Sequence, residues 1–226
     1  MMNASAKLLS FSVLLLFSLL LQGQGFYRFS SDYTIKEVDT LNQEKISIGR
    51  LYLDETQKTL NFFQDFPTET SYKIKDSTLT VQTEDSSYSS STLHSIYDQT
   101  IYHLIITSSL SDYGLTNKGF KIGHVKRIDS NLVVSEYIAN NDDQLTNEIH
   151  LGKGSNGELL FMLVYDVEGN ELLEVYFSDY DVVQGLKVPK TIKQIQHVDQ
   201  KSVWRSIRLY NIEINEETHI DKYSAD

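Results

Sequence analysis

Between Ser47 and Thr83 the chain reads SIGRLYLDETQKTLNFFQDFPTETSYKIKDSTLTVQT. Four short apolar-aromatic runs, 48–53, 60–66, 71–75 and 78–82, are separated by Asp54-Glu55-Thr56, Pro67-Thr68-Glu69 and Asp76-Ser77. Within the runs, Leu51/Leu53, Leu60/Phe62, Tyr72/Ile74 and Leu79/Val81 recur every second residue, with mostly polar residues between them. Successive side chains of a strand point to opposite faces, so this pattern sorts an apolar face from a polar one. The connections are too short for crossovers, which leaves antiparallel strands joined by tight turns. One face of such a meander must be covered, and the rest of the chain has to cover it or extend it.

Upstream, residues 26–37 continue in extended form, with Phe29, Tyr33 and Ile35 in loose alternation and a polar connection at 41–45. Downstream, the serine-rich stretch 86–92 breaks the strand pattern, and its first half reads as a flexible loop. The period then changes. Leu93, Ile96/Tyr97, Thr100/Ile101 and Leu104/Ile105 fall three or four residues apart, with Ser108 next in phase. That spacing predicts an amphipathic helix over 93–108, capped by Ser91 or Thr92 and ended near Gly114. It is the one principal helix expected. From Gly119 the alternation returns, predicting strands at 120–127, 132–138, 145–151, 159–165, 172–177, 188–196 and 203–214. The run LLFMLVY at 159–165 is apolar on both faces, which places it mid-sheet and covered on both sides or packed under the helix. The expected fold is mainly β: a long curved antiparallel sheet, an incomplete barrel, with the helix on its concave face.

The first 25 residues read differently. Lys7 precedes an apolar run at 8–21, and Gly23 and Gly25 stand at the −3 and −1 positions before Phe26. This is the pattern of a secretory signal peptide cleaved before Phe26, and the apolar run is short for a bilayer span of about 20 residues. Residues 26–226 then form one domain, since no linker or repeat divides them. The 226-residue chain has no cysteine, which removes disulfides, a lipid-modified cysteine and thiolate metal sites. Its net charge is −11, and Lys7 is the only charged residue before Phe26. Acidity of this order argues against nucleic acid as a partner and against unaided adsorption to anionic headgroups.

Catalytic and cofactor motifs are weak. Gly152-Lys153-Gly154-Ser155-Asn156-Gly157 matches G-x-G-x-x-G, but a strand rather than a helix follows, so a hairpin loop is expected there. The six histidines, His94, His103, His124, His150, His197 and His219, contain no His-x-x-x-His pair, so no metal site is expected. Asp166-Val167-Glu168-Gly169-Asn170 resembles part of a calcium loop without its closing glutamate and reads as a hairpin turn. No nucleophile elbow or Ser/His/Asp arrangement is visible. The expectation is a non-enzyme without a cofactor.

A family resemblance rests on the order of several short motifs. Gly49-Arg50-Leu51-Tyr52-Leu53, Leu60-Asn61-Phe62, Pro67 and Lys75-Asp76-Ser77-Thr78-Leu79 resemble the first half of the periplasmic outer-membrane lipoprotein carriers, the LolA-like superfamily. Tyr165-Asp166-x-x-Gly169-Asn170, Phe177-x-x-Tyr180 and Gly185-Leu186-x-Val188-Pro189-x-x-Ile192 resemble the second half, and the helix at 93–108 sits where the family has one. The chain departs from the family in three places. Cleavage before Phe26 leaves no room for an N-terminal helix, the carrier arginine falls near Glu55, and Asp76-Ser77 replaces Asp-Gly. The resemblance implies a monomeric periplasmic carrier of lipid or lipoprotein acyl chains, exchanging cargo with inner-membrane donor and outer-membrane acceptor proteins. It implies a groove lined by Leu51, Leu53, Leu60, Phe62, Tyr72, Ile74, Leu79, Val81, Ile101, Leu104, Ile105 and Met162. The alternatives are an interaction module that fills the same curved sheet with its own side chains, and an envelope hydrolase, for which no motif speaks.

Overall fold

A computed structural model describes residues 26–75, 78–91, 93–108, 112–140, 146–198 and 201–223. The first run of strands is β1 (Arg28–Val38), β2 (Glu44–Asp54), β3 (Thr59–Phe66), β4 (Thr70–Lys75), β5 (Thr78–Gln82) and β6 (Ser87–Ser91). Helix α1 (Leu93–Ile106) and a 3-10 turn (Leu115–Lys118) follow. The second run is β7 (Phe120–Arg127), β8 (Leu132–Ala139), β9 (Glu148–Gly154), β10 (Leu159–Tyr165), β11 (Glu171–Val183), β12 (Leu186–Val198) and β13 (Lys201–Ile214), closed by the single turn α2 (Ile220–Tyr223).

All thirteen strands belong to one antiparallel sheet in the order β6-β5-β4-β3-β2-β1-β13-β12-β11-β10-β9-β8-β7. Two meanders are therefore joined through one long-range ladder, in which β1 pairs with β13 from Phe29↔Ile214 to Val38↔Trp204. The two free edges, β6 and β7, are consecutive in the chain, and α1 lies on the segment connecting them. The sheet stays open and curls around α1. Tyr102 of the helix meets Phe29 of β1 and Phe62 of β3 at ring separations of 6.2 and 6.0 Å.

The register puts the period-2 residues on one inner face. Leu51 pairs with Phe62, Phe62 with Tyr72 and Tyr72 with Val81, while Leu53, Leu60, Ile74 and Leu79 form the next row. Met162, Val175, Ile192, Ile207 and Leu209 continue this buried face across the second meander. A bulge between Ile48 and Gly49 breaks the β2–β3 ladder. There a Cβ on Gly49 would lie 2.0 Å from the Phe63 carbonyl oxygen, so the close approach of the two backbones needs glycine. Gly152 has a similar role, since a Cβ there would enter the Phe161 ring.

Helix α1 buries Ile101, Tyr102, Leu104, Ile105 and Ile106. Leu93, Ile96 and Tyr97 of the expected stripe have side chains outside the described ones. The helix ends where Thr107 turns its hydroxyl onto the carbonyls of His103 (2.6 Å) and Tyr113 (2.8 Å), and Gly114 follows in the left-handed region at φ 67°. On the outer face the short α2 docks over β2 and β3. Asn61 Nδ2 donates to the Lys222 carbonyl, Thr59 Oγ1 donates to that of Tyr223, and the buried Tyr223 ring packs 5.1 Å from Tyr52.

Four expectations need correction. Residues 87–91 are an edge strand rather than a loop. Hydroxyl pairs such as Thr80 Oγ1···Ser89 Oγ (2.9 Å) support a ladder that has almost no apolar content. Strand β9 runs from Glu148 to Gly154, three residues beyond its predicted end, because Gly152 and Gly154 are extended residues and not the loop. The run 159–165 is not covered on both sides: Leu159, Met162 and Val164 are buried, with Leu159 facing α1, while Phe161, Leu163 and Tyr165 are half-buried on the other face. Strands β11 and β12 are each 13 residues long, because their pairing continues past the predicted ends, through Tyr180↔Pro189 and Val183↔Leu186, to the Gln184-Gly185 turn.

Candidate ligand pocket

The inner face is not filled everywhere. Beside the N-terminal half of α1 it leaves a pocket of about 300 Å³. Its walls are Tyr33 and Ile35 of β1, Phe62 of β3, Tyr72 and Ile74 of β4, and Leu79 of β5. Each points inward by strand alternation, and Tyr33 meets Phe62 edge-on at 5.6 Å. Lys45, Ser47, Gln64, Glu37, Asp98 and Arg205 are the other described residues of the lining. An apolar pocket with a few convergent polar groups is the usual form of a small-molecule site.

The polar side is organised by Arg205 of β13. Its Nη1 donates to Asp98 Oδ1 of α1 at 2.9 Å and to Gln194 Oε1 of β12 at 3.1 Å, and its Nε lies 3.5 Å from Glu37 Oε2 of β1. Burial works against the guanidinium charge, but Asp98 and Glu37 outweigh it and hold the Arg205 pKa above its ordinary value. The network ties α1 to three strands through fixed charges. Burial raises the pKa of Tyr33, so this wall carries a neutral hydroxyl.

A smaller pocket of about 210 Å³ lies along the C-terminal half of α1. Leu104, Ile105 and Ser108 face Leu159, Phe177, Leu186 and Pro189 there. This end of the helix is held by Glu55 in the β2–β3 turn, whose Oε1 lies 2.7 Å from His103 Nδ1 and 3.8 Å from Lys118 Nζ. Burial alone would raise the Glu55 pKa, but the His103 hydrogen bond and the neighbouring cations carry it below the usual carboxylate range. Where the carrier family is expected to place an arginine, this chain has an acid that pins the helix.

Of the twelve groove residues expected from sequence, Phe62, Tyr72, Ile74 and Leu79 line the larger pocket, and Leu104 and Ile105 line the smaller. Leu51, Leu53, Leu60, Val81, Ile101 and Met162 are buried on the same inner face and border neither pocket. Tyr33, Ile35, Asp98 and Arg205 were not among the expected residues. A readable signal existed for one of them: in Val203-x-Arg205-x-Ile207-x-Leu209, a lone charge shares the phase of the inward apolar residues.

The class of fold is an open antiparallel sheet curled over one helix. Three solved structures share it. A LolA superfamily protein of Nitrosomonas europaea aligns with a TM-score of 0.61 at 12% identity, over 89% of this chain and 91% of that one. A domain assigned to outer-membrane lipoprotein sorting in Vibrio parahaemolyticus gives 0.61 at 10% identity, over 92% and 94%. A DUF1329 family protein of Desulfovibrio piger gives 0.62 at 10% identity, over 93% and 94%. The chain shares its fold with these three structures, one of them a LolA superfamily protein, at 10–12% sequence identity. No family sequence profile matches the chain, and no curated protein matches it in sequence.

Proposed function

We propose that this protein is a non-enzymatic carrier that holds a lipid acyl chain in the larger pocket, beside α1. The observation that carries the reading is the pocket itself, an apolar cavity of about 300 Å³ on the inner face of a lipoprotein-carrier-like fold. The signal-like N-terminal sequence supports export to the periplasm, where an acyl chain crossing between two membranes has to be shielded from water. Cargo would come from an inner-membrane donor and pass to an outer-membrane acceptor, with the carrier acting as a monomer.

The volume restricts the cargo. It lies at the small end of ligand pockets, about 300–1,000 Å³. About ten methylenes at about 0.8 kcal/mol each would gain about 8 kcal/mol, which corresponds to a Kd near 1 μM before ordering costs. Reversible, micromolar capture of one chain fits this site better than tight capture of a multiply acylated anchor.

A fluorescent fatty-acyl probe titrated into delipidated protein tests the reading. Saturable binding should appear at micromolar probe. It should be lost in Tyr72→Asp and Phe62→Asp, and in Ile74→Asp wherever circular dichroism shows that variant folded. The packed state of Leu51, Leu53, Leu60, Ile101 and Met162 favours a second reading, an interaction module with a filled core. Folded, lipid-free protein that binds no probe would leave that reading in place of the carrier.

A further inference from the structure

The outer face of the second meander carries a group of side chains that the pocket does not use. A register shift between Val164 and Tyr165 brings Glu171 of β11 opposite Tyr165. On the same strand Glu174 pairs with Ile195 of β12, two residues before His197. One carboxylate oxygen from Glu171, one from Glu174 and one imidazole nitrogen of His197 lie within 4.8 Å of one another. Glu174 Oε1 and His197 Nε2 are already 3.1 Å apart. Two ligands of a tetrahedral ion with bonds of about 2.0–2.2 Å sit about 3.3 Å apart, so this pair has nearly the required spacing.

The groups around these three are placed as supports for ligands. Ser202, directly opposite His197 across the β12–β13 ladder, has its Oγ 3.2 Å from His197 Nδ1. With Nδ1–H donating to that hydroxyl, the Nε2 lone pair is turned toward the carboxylates. Tyr176 donates its hydroxyl to Glu174 Oε2 at 2.6 Å, which fixes the carboxylate and leaves Oε1 facing the imidazole. Partners of this kind, on the far nitrogen of a histidine and the far oxygen of a carboxylate, orient metal ligands and set their basicity. Among the described residues no lysine or arginine forms an ion pair with Glu171 or Glu174. Elsewhere Asp54, Glu44, Glu213 and Asp181 each have one.

We propose that Glu171, Glu174 and His197 bind a divalent transition ion of the Zn²⁺ kind on the outer face. The donor set selects the ion. Ca²⁺ and Mg²⁺ take oxygen donors and six or more ligands, whereas one imidazole with two carboxylates suits four-coordinate Zn²⁺ with its fourth position open. A second group, Glu136, Glu148 and His150, lies on the same face across β10. No described residue outside that group bonds to its imidazole, which makes it an internal control. The proposal is independent of the inner pocket.

Isothermal titration of Zn²⁺ into the chelator-treated, full-length folded protein tests it. One saturable site in the micromolar range is expected. His197→Ala and Glu174→Gln should each weaken it at least tenfold. Ser202→Ala should weaken it about tenfold, as for the loss of an outer-shell partner. His150→Ala should leave it unchanged. All four positions are on the outer face, and circular dichroism confirms the fold of each variant. Absence of saturable binding at micromolar Zn²⁺, or binding that survives His197→Ala, overturns the proposal. Binding that is lost in His150→Ala instead also overturns it.

Discussion

At the scale of single residues, Asp54 shows how one side chain fixes a turn. Its carboxylate is fully buried at the end of β2. It accepts from Arg28 Nε at 2.9 Å and from the backbone amides of Thr56 and Gln57 at 2.9 and 3.0 Å. Burial pushes its pKa up, but the hydrogen bonds from Thr56, Arg28 and Gln57 more than reverse this and hold it below the ordinary carboxylate range. A carboxyl with a depressed folded pKa contributes stability that is fully present above its unfolded value of about 3.9, and that is lost as pH falls through the lower folded value. Asp54→Asn should therefore destabilise the protein near pH 7 by about 1–3 kcal/mol. In urea melts at falling pH the gap between variant and wild type should close in the acid range, below the ordinary carboxylate pKa. A gap that stays constant into strong acid would show that Asp54 acts by shape and not by charge.

At the scale of elements, α1 has the most to lose from a single change. Leu104 is fully buried between the helix and the sheet. Leu104→Asp would place an uncompensated charge there, and a loss upward of about 4 kcal/mol is expected in denaturant unfolding. An unchanged unfolding midpoint would mean that α1 does not hold the two meanders together. The helix and most strands were legible in the sequence because burial on one face imposes a period, and Leu51/Leu53 and Leu60/Phe62 display it directly. Strand β6 was not legible, because a SYSSS edge is held by backbone pairing and hydroxyl contacts that leave no apolar period. The division of the twelve expected lining residues between pocket and packed core was not legible either. Alternation tells which face a side chain takes, whereas the depth of cover depends on where α1 crosses. The two Glu/Glu/His groups were also hidden. Each is assembled across neighbouring strands, and the one at His197 depends on a bulge that linear spacing does not reveal.

At the scale of the whole molecule, no helix among the described residues is long and apolar enough to cross a membrane. Export with cleavage before Phe26, which is part of the proposed function, predicts a soluble product. Its intact mass should correspond to a chain beginning at Phe26. A species that keeps residues 8–21, or that stays with membranes after a high-salt wash, would contradict it. The topology has a further consequence for capacity. In a closed barrel, strand number and shear together set the bore. Here β6 and β7 end the sheet without a ladder between them, and the chain passes from one to the other through α1. The girth is then set by the helix clasped inside, through Asp98 on Arg205 and His103 on Glu55, and not by hydrogen-bond register. Such a body is gauged as a calliper is and not as a tube: the side chains that α1 presents, and not strand number and shear, set the gap between its jaws.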